Sequence, residues 1–316
     1  MRVLVIGFGS IGQRHAGNLV ENKHISSVFV YTNIRPADTK FPHPDKIQIV
    51  TSPDIDNIDF AIIANQTYKH IETAIKLATK KIPLFIEKPV SHNRDRLDEL
   101  VNITTKNSTP VFIAYNLRFM GAIVKVKELL EDDTIGKPCY AQIEIGQYLP
   151  DWTPGKDYRQ TYRAKKDTGG DVALELTHEI DYMRYLFGSP REWYVLKTKV
   201  SDLEIETHDV FEGIYKFQGG LLCNVHLDYL QKKKRRSIRI VGTQGEINCS
   251  LSDQLLTVKT ATRETNLSTP ELFNLPQTYK DEIAHFISVV KGETPPLITL
   301  EDGIESLKLI EMSNPR

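Results

Sequence analysis

Two groups of residues in this chain have types and spacing suited to chemistry: a glycine cradle for a phosphate-bearing ligand, and a lysine and a histidine that can manage a proton. Gly7-Phe8-Gly9-Ser10-Ile11-Gly12 has the spacing of a turn that feeds a helix. Gly7 permits the tight turn, Gly9 lets backbone N–H groups reach a pyrophosphate, and Gly12 lets the helix pack on the preceding strand, so the six residues read as a dinucleotide cradle. Lys88 stands in Glu87-Lys88-Pro89, directly after the apolar run 83–86. The carboxyl end of a parallel strand is where open α/β sheets take ligands, and a lysine there reaches into the crevice. Further on, Gly169-Gly170 precedes Leu174-Glu175-Leu176-Thr177-His178-Glu179-Ile180-Asp181. Written on one helix, Glu175, His178 and Asp181 share a face at three-residue spacing. A hydride leaves an alcohol carbon readily only if the hydroxyl proton departs too, which requires a base near the hydroxyl and a cation for the developing alkoxide. An imidazole titrating near pH ~6.5 suits the base, and a mobile ammonium suits the cation. His178 and Lys88 are the candidates for these catalytic roles, and Glu87 beside Lys88 is placed to orient it and to meet the cofactor. A metal-dependent hydrolase is a poor fit, because one Glu-x-x-His without further His or Cys partners makes a weak metal site.

The end of the second expected strand bears on the choice of dinucleotide. NAD enzymes commonly place Asp or Glu there, about 20 residues beyond the glycine motif, to bind the ribose 2′-hydroxyl. This chain has Tyr31-Thr32-Asn33-Ile34-Arg35 instead. With no carboxylate to repel a 2′-phosphate, and with Thr32, Asn33 and Arg35 able to bind one, NAD(P) is the expected cofactor, with NADP(H) slightly favoured. Thr32 or Asn33 can equally hydrogen-bond a free ribose hydroxyl.

The elements that must position these residues follow from the apolar pattern. Short β-branched runs at 3–6, 28–31, 60–64, 84–86 and 111–114 alternate with helix-period segments at 11–22, 68–79 and 94–106. Continuous apolar strands between helices predict a doubly wound parallel sheet covered on both faces, an α/β dinucleotide-binding domain. Beyond a helix at 122–131, strands at 139–148, 210–217, 221–229, 237–241 and 255–260 alternate apolar and polar residues, as an antiparallel sheet with one open face requires. A helix over 171–186 interrupts them, and helices at 279–291 and 300–311 close the chain. This second domain is α+β, with a large, mostly antiparallel sheet. The expected division is 1–120 and 121–316.

Bulk composition narrows the partners. At 316 residues two domains are the natural division. A net charge of -1 leaves no general footprint for nucleic acid or an anionic membrane, and no apolar run approaches a membrane span. The basic run 232–236 is the one local exception, and without interleaved aromatic residues it reads as a solvated strand end. Three widely spaced cysteines, Cys139, Cys223 and Cys249, read as buried free thiols. The first apolar run is too short for an export signal, so the expected location is the reducing cytoplasm.

The stretches GFGSIGQRH, IANQTYKH, EKPV, YNLRF and LELTHEID, with YKDEIAHF and TLEDGIESL near the end, resemble the glucose-fructose oxidoreductase, inositol dehydrogenase and rhizopine-catabolism (Gfo/Idh/MocA) family over nearly the whole chain. The resemblance implies an N-terminal Rossmann domain and a C-terminal open-faced sheet used for homodimer or homotetramer contacts. It further implies hydride transfer at a hydroxyl or keto carbon of a sugar, sugar acid, nucleotide sugar or cyclitol. It places Lys88 beside the nicotinamide and the reacting oxygen, implies a cis Lys88-Pro89 bond, and matches His178 to the catalytic histidine. Family wording has an Asp four residues before that histidine; here Glu175 lies at three, which leaves its role open.

By the same resemblance the loop after the third strand lines the cofactor through Asn65, Thr67 and His70, although His70 is equally suited to a structural hydrogen bond. Tyr115, Asn116 and Arg118 match positions near the substrate, and Arg118 suits an interdomain salt bridge as well. Tyr148, Trp152, Tyr158 and Arg159 form a loop of groups that stack on sugar or nucleotide rings and grip phosphate, or else pack across their own sheet or a neighbouring subunit. A non-catalytic dinucleotide-binding regulator of the same fold is the alternative function. The presence of Lys88 and His178, which a sensor needs neither of, argues against it.

Overall fold

The computed structural model of the chain describes residues 1–33 and 43–312. Its residues gather into two compact units, Met1–Asn116 with Pro276–Glu305, and Leu117–Leu275 with the segment from Ser306 on. Among the described residues no helix is long and apolar enough to cross a membrane.

The first unit is organised by a parallel sheet in the order β3-β2-β1-β4-β5-β6. Its strands are β1 (Arg2–Ile6), β2 (Ser27–Tyr31), β3 (Ile47–Val50), β4 (Phe60–Ile63), β5 (Leu84–Glu87) and β6 (Val111–Ala114). Between them run α1 (Ser10–Glu21), α2 (His70–Thr79) and α3 (Leu97–Asn107). The central strands β4 and β5 are buried at every position, the condition for a sheet covered on both faces. Strand order reverses between β1 and β4, and a ligand crevice belongs at that switch. Sequence periodicity misses β3, an edge strand whose two central residues are exposed.

The second unit holds an eight-stranded sheet in the order β14-β13-β12-β11-β7-β10-β9-β8. These strands are β7 (Pro138–Gly146), β8 (Glu192–Thr198), β9 (Val210–Lys216), β10 (Leu222–Asp228), β11 (Arg235–Gly242), β12 (Gly245–Ser250), β13 (Leu255–Thr260) and β14 (Glu264–Leu267). Only β7 and β10 pair in parallel. The inner face buries Ile143, Phe211, Tyr215, Val225, Ile238 and Ile247, while Tyr194, Leu196, Ile214 and Leu222 on β8 to β10 stay exposed. Helices α4 (Gly121–Glu131), α5 (Val172–Glu175) and α6 (His178–Phe187) belong to this unit.

Two expectations are corrected here. The helix expected over 171–186 is two helices, because Leu176 (φ -105°, ψ 31°) leaves helical geometry and a turn separates Glu175 from His178. Glu175, His178 and Asp181 therefore do not lie along one continuous helix. Cys139 is exposed rather than buried, since it stands one residue into β7, at the strand's rim; Cys223 and Cys249 are the buried thiols.

The chain then returns to the first unit, which a linear division at residue 120 does not convey. Helix α7 (Leu275–Val290) brings Phe286 into edge and tilted contact with Phe60, Phe85 and Phe112 at 5.3, 5.6 and 5.9 Å. Such rings each bury a large apolar area and add directional contacts. The start of α8 (Leu300–Lys308) follows, with Gly303 so close to Val90 and Ile113 that an added Cβ would lie 3.0 Å from Ile113.

Candidate functional site

The cradle between β1 and α1 has the geometry its glycines require. Gly7 adopts φ +98°, donates its N–H to Tyr31 O at 3.0 Å, and would drive a Cβ to 2.4 Å from Ala64 O. A Cβ on Gly12 would lie 2.2 Å from Gly7 O, so neither position admits a side chain. Gly9 is different: nothing lies within 4 Å of where its Cβ would be. It stands at the N-cap of the twelve-residue α1, where no side chain caps the helix. Ser10 and Ile11 open that helix, and Phe8 is buried beneath the turn, its carbonyl accepting from the Gln13 amide at 3.1 Å. Free N–H groups at a helix start, beside the positive end of the macrodipole, form an anion site. The empty space over Gly9 fits the pyrophosphate of a dinucleotide.

A groove of about 480 Å³ opens beside it at the carboxyl ends of β1, β2 and β4, lined by Gly7, Tyr31, Asn33, Asn65 and Lys69 among others. Asn65 sends its amide to Thr73 Oγ1 at 3.0 Å and leaves its buried Oδ1 without a hydrogen-bond partner. An orphaned acceptor at this depth suits a ligand hydroxyl. Asn33 lines the groove, Thr32 stands half-buried beside it, and Arg35 lies outside the described residues. The wall at α2 also carries Lys69 just before the helix, Glu72 and Lys76 on it and Lys80 beyond its end. Glu72 pairs with Lys76 at 2.6 Å and Asp54 pairs with Lys80. Sequence reasoning did not single out these charges, although their three- and four-residue spacing beyond Asn65 is a readable signal.

The turn after β5 holds Lys88. Glu87 Oε2 accepts the Lys88 backbone N–H at 3.2 Å, and the Lys88-Pro89 peptide is cis. His70 stands behind it, almost fully buried, with Nδ1 3.0 Å from Pro89 O and Nε2 3.1 Å from Asn65 O. Burial holds its pKa below the ordinary imidazole value against the pull of the two carbonyls, and the neutral ring, packed between the turns after β4 and β5, donates its single N–H to one of them. This is the structural role that the sequence left as an alternative. Thr67 is buried in the single turn leading into α2. Tyr115 is fully buried after β6, and Asn116 gives its amide to Thr278 at 2.6 Å.

In the second unit, Arg118 is buried and meets Asp181 through Nε at 2.9 Å and Nη2 at 2.6 Å. Both residues belong to that unit, so this bridge does not join the two units. Glu175 accepts from Tyr162 at 3.0 Å and from Arg163 at 2.8 Å, and Arg163 in turn lies over the Trp152 ring at 5.3 Å. Trp152 donates to Gln147 O and stands edge-on to Tyr229, the packing of a loop across its own sheet. Tyr148 lies under the Lys232 ammonium, Tyr158 accepts from the Glu204 N–H, and Arg159 binds Asp157 and Glu204. His178 opens α6 and is half-buried. Asp171, just before α5, caps the Ala173 N–H at 2.9 Å and takes His208 Nδ1 at 2.7 Å. Burial alone would raise its pKa, but His208 and Lys197 outweigh it and hold the carboxyl below its ordinary value. Tyr162, Arg163, Asp171 and His208 went unnoticed as a group because their partners are distant in sequence.

Comparison with known proteins agrees with the cradle and sheets. Residues 1–115 match the model described as "Oxidoreductase family, NAD-binding Rossmann fold", and residues 123–248 match the GFO/IDH/MocA C-terminal domain. The chain is 28% identical to a myo-inositol 2-dehydrogenase of Thermotoga maritima over 98% of this chain and 94% of that protein. It is 23% identical to a 1,5-anhydro-D-fructose reductase of Ensifer adhaerens, over 82% and 77%. A Bordetella pertussis dehydrogenase, solved with NADH and UDP-GlcNAcA, superposes with TM-score 0.82 at 16% identity, covering 98% of this chain and 93% of that one. With a glycine cradle built for a dinucleotide and both family models together spanning most of its length, the chain belongs to the GFO/IDH/MocA family of oxidoreductases with an NAD-binding Rossmann fold.

Proposed function

We propose that the protein transfers a hydride to or from a hydroxyl-bearing or keto carbon of a sugar, sugar acid, nucleotide sugar or cyclitol. The observation that carries this reading is Lys88 at the carboxyl end of β5, its backbone held by Glu87, in the same unit as the cradle at Gly9. The relatives point the same way: one is named for myo-inositol, one for an anhydrofructose, and one was solved with a nucleotide sugar. Bound NAD(P) supplies the hydride acceptor or donor. Gly7, Gly9 and Gly12 with the start of α1 bind its phosphates, and Asn65 takes a hydroxyl or amide of the ligand. Lys88 supplies the positive charge that stabilises a developing alkoxide, and His178 takes the hydroxyl proton. Tyr115, Asn116, Arg118, Tyr148, Trp152, Tyr158, Arg159 and Glu175 shape the substrate side.

The groove beyond Asn33 supports acceptance of NADP(H) beside NAD(H), with a slight preference for the former. After the Glu72–Lys76 and Asp54–Lys80 pairs are set aside, Lys69, over the Tyr68 ring, remains as a cation among the described residues that line the groove. We further propose a homodimer or homotetramer formed through the exposed sheet face, and a cytoplasmic location. The test of function is reduction of NAD+ and NADP+ across cyclitols, free sugars, sugar acids and nucleotide sugars. Turnover with one class supports the reading. Dinucleotide binding without turnover on any class, in either direction, would favour a regulator.

A further inference from the structure

Among the described residues, His15 on α1, Glu87 at the end of β5 and Glu282 on α7 converge inside the first unit, each offering an atom within 4.8 Å of the other two. His15 is fully buried, with Nε2 2.6 Å from Glu87 Oε1 and its ring edge-on to Phe85 at 5.2 Å. The second Glu87 oxygen accepts the Lys88 N–H. Glu282 is fully buried, and neither of its oxygens has a hydrogen-bond partner; His15 Nδ1 has none either.

A metal ion and a proton are the two occupants such a cluster suits. Two ligands each ~2.1 Å from a tetrahedral zinc stand ~3.4 Å apart. The His15–Glu87 separation is a hydrogen bond instead, which favours the proton. An ionised Glu282 would be a bare charge in an apolar interior, facing a second carboxylate. The groups around it are His15 from α1, Glu87 from β5, and Tyr279 from its own helix, whose ring lies under Arg14 at 4.4 Å. His70 adds no charge, being held neutral by burial. Burial first, and the Glu87 charge second, push the Glu282 carboxyl well above the ordinary carboxylate range.

We propose that Glu282 is a neutral carboxylic acid at neutral pH, which leaves His15 to Glu87, and that His15 keeps Glu87 in place as the acceptor for the Lys88 backbone and so is a positioning residue for Lys88. Ionised, Glu282 would compete with Glu87 for His15 and set two negative charges side by side. The positioning role rests on the chemistry assigned to Lys88; the proton on Glu282 does not.

Three measurements test this, using Glu282→Gln and His15→Leu in the full chain. The infrared carbonyl band of a protonated carboxylic acid should be present in the unmodified protein at pH 8 and missing from Glu282→Gln. The folded state keeps a proton that the unfolded chain releases above its ordinary carboxyl pKa, so the unmodified protein loses stability as pH rises from there while Glu282→Gln does not. The Tm advantage of Glu282→Gln should therefore grow by about 4 °C or more between pH 5 and pH 8. On the substrate found by the panel, His15→Leu should lower kcat about 10-fold with dinucleotide Kd little changed, and should cause no further loss in a Lys88→Ala background. A missing band, a Tm difference independent of pH, or a stoichiometric metal ion retained by the protein and lost with Glu282→Gln overturns the proton. An equal kcat loss in the Lys88→Ala background overturns the positioning role. Full turnover by Lys88→Ala alone would remove the reading of Lys88, and the positioning role with it, while leaving the infrared band in place.

Discussion

Lys88 and His178 carry different demands, and single substitutions separate them from the residues that merely bind. General acid-base groups typically contribute on the order of 10²- to 10⁴-fold in rate. Lys88→Ala and His178→Ala should each lose turnover on that scale while dinucleotide Kd, measured by fluorescence quenching, stays within a few-fold. Near-normal turnover in both would end the assignment. The role proposed for Asn33, which lines the groove, is binding instead. Placing a carboxylate there, in a groove that already holds Asp54 and Glu72, should repel a 2′-phosphate. Asn33→Asp should weaken NADP(H) at least about 10-fold, or about 1.4 kcal/mol, with NAD(H) affinity kept or improved. Isothermal titration of both dinucleotides checks this, and an equal loss for the two would show that Asn33 does not sense the 2′ position. The glycine turn and the place of Lys88 at a strand end were legible in the sequence because a turn and a strand end impose their demands locally. Glu87 was legible there as the neighbour that orients Lys88, but its meeting with His15 and Glu282 was not, since that depends on α7 returning to the first unit.

Elements were legible wherever burial wrote a strong period. The five buried strands of the parallel sheet and α1 to α3 follow directly from continuous apolar runs and helical spacing. The strands missed were β3, β8, β12 and β14: β3 and β8 are edge strands that expose apolar residues such as Ile49, Tyr194 and Leu196, while β12 and β14 carry few large apolar residues, β14 reading Glu-Thr-Asn-Leu. Helical spacing also overran the turn at Leu176 and Thr177, because the apolar pattern continues across it while the backbone does not. On β10, His226 shows a local network that the period alone could not reveal. Its Nε2 meets Asp228 at 2.9 Å and its Nδ1 meets Glu212 across the β9–β10 pair at 2.6 Å. The bond to Asp228 outweighs partial burial and, with Glu212, lifts the imidazole pKa to about 9. A folded pKa raised above the unfolded value stabilises the fold below pH ~6.5, and that contribution is lost as pH rises through about 9. With the side chain 29% exposed, solvent screening holds its worth to about 2 kcal/mol. Between pH 7 and pH 10 the unmodified protein should lose Tm relative to His226→Gln, and a gap constant over that range would show the imidazole uncharged.

At the scale of the whole molecule, the eight-stranded sheet poses a problem of coverage. Its inner face is closed by helices, whereas Tyr194 is 66% and Leu196 61% exposed on the outer face of β8, with Ile214 and Leu222 beside them. Clustered apolar groups of this size on a sheet face are unusual in a monomer and mark a contact surface. The same face also carries Glu212, His226, Glu144 and Arg235, charges that can pair with their own copies under two-fold symmetry. A face with apolar patches and charges of both signs fits the proposed second copy of this chain better than a nucleic acid or a membrane. Light scattering at micromolar concentration should therefore give two or four times 36.0 kDa. Replacing both Tyr194 and Leu196 with Asp places two like charges against their symmetry mates, at a cost of several kcal/mol, and should lower the mass toward that of one chain while leaving dinucleotide affinity unchanged. A mass of one chain for the unmodified protein would mean that this face is covered by something else or is soluble as it stands.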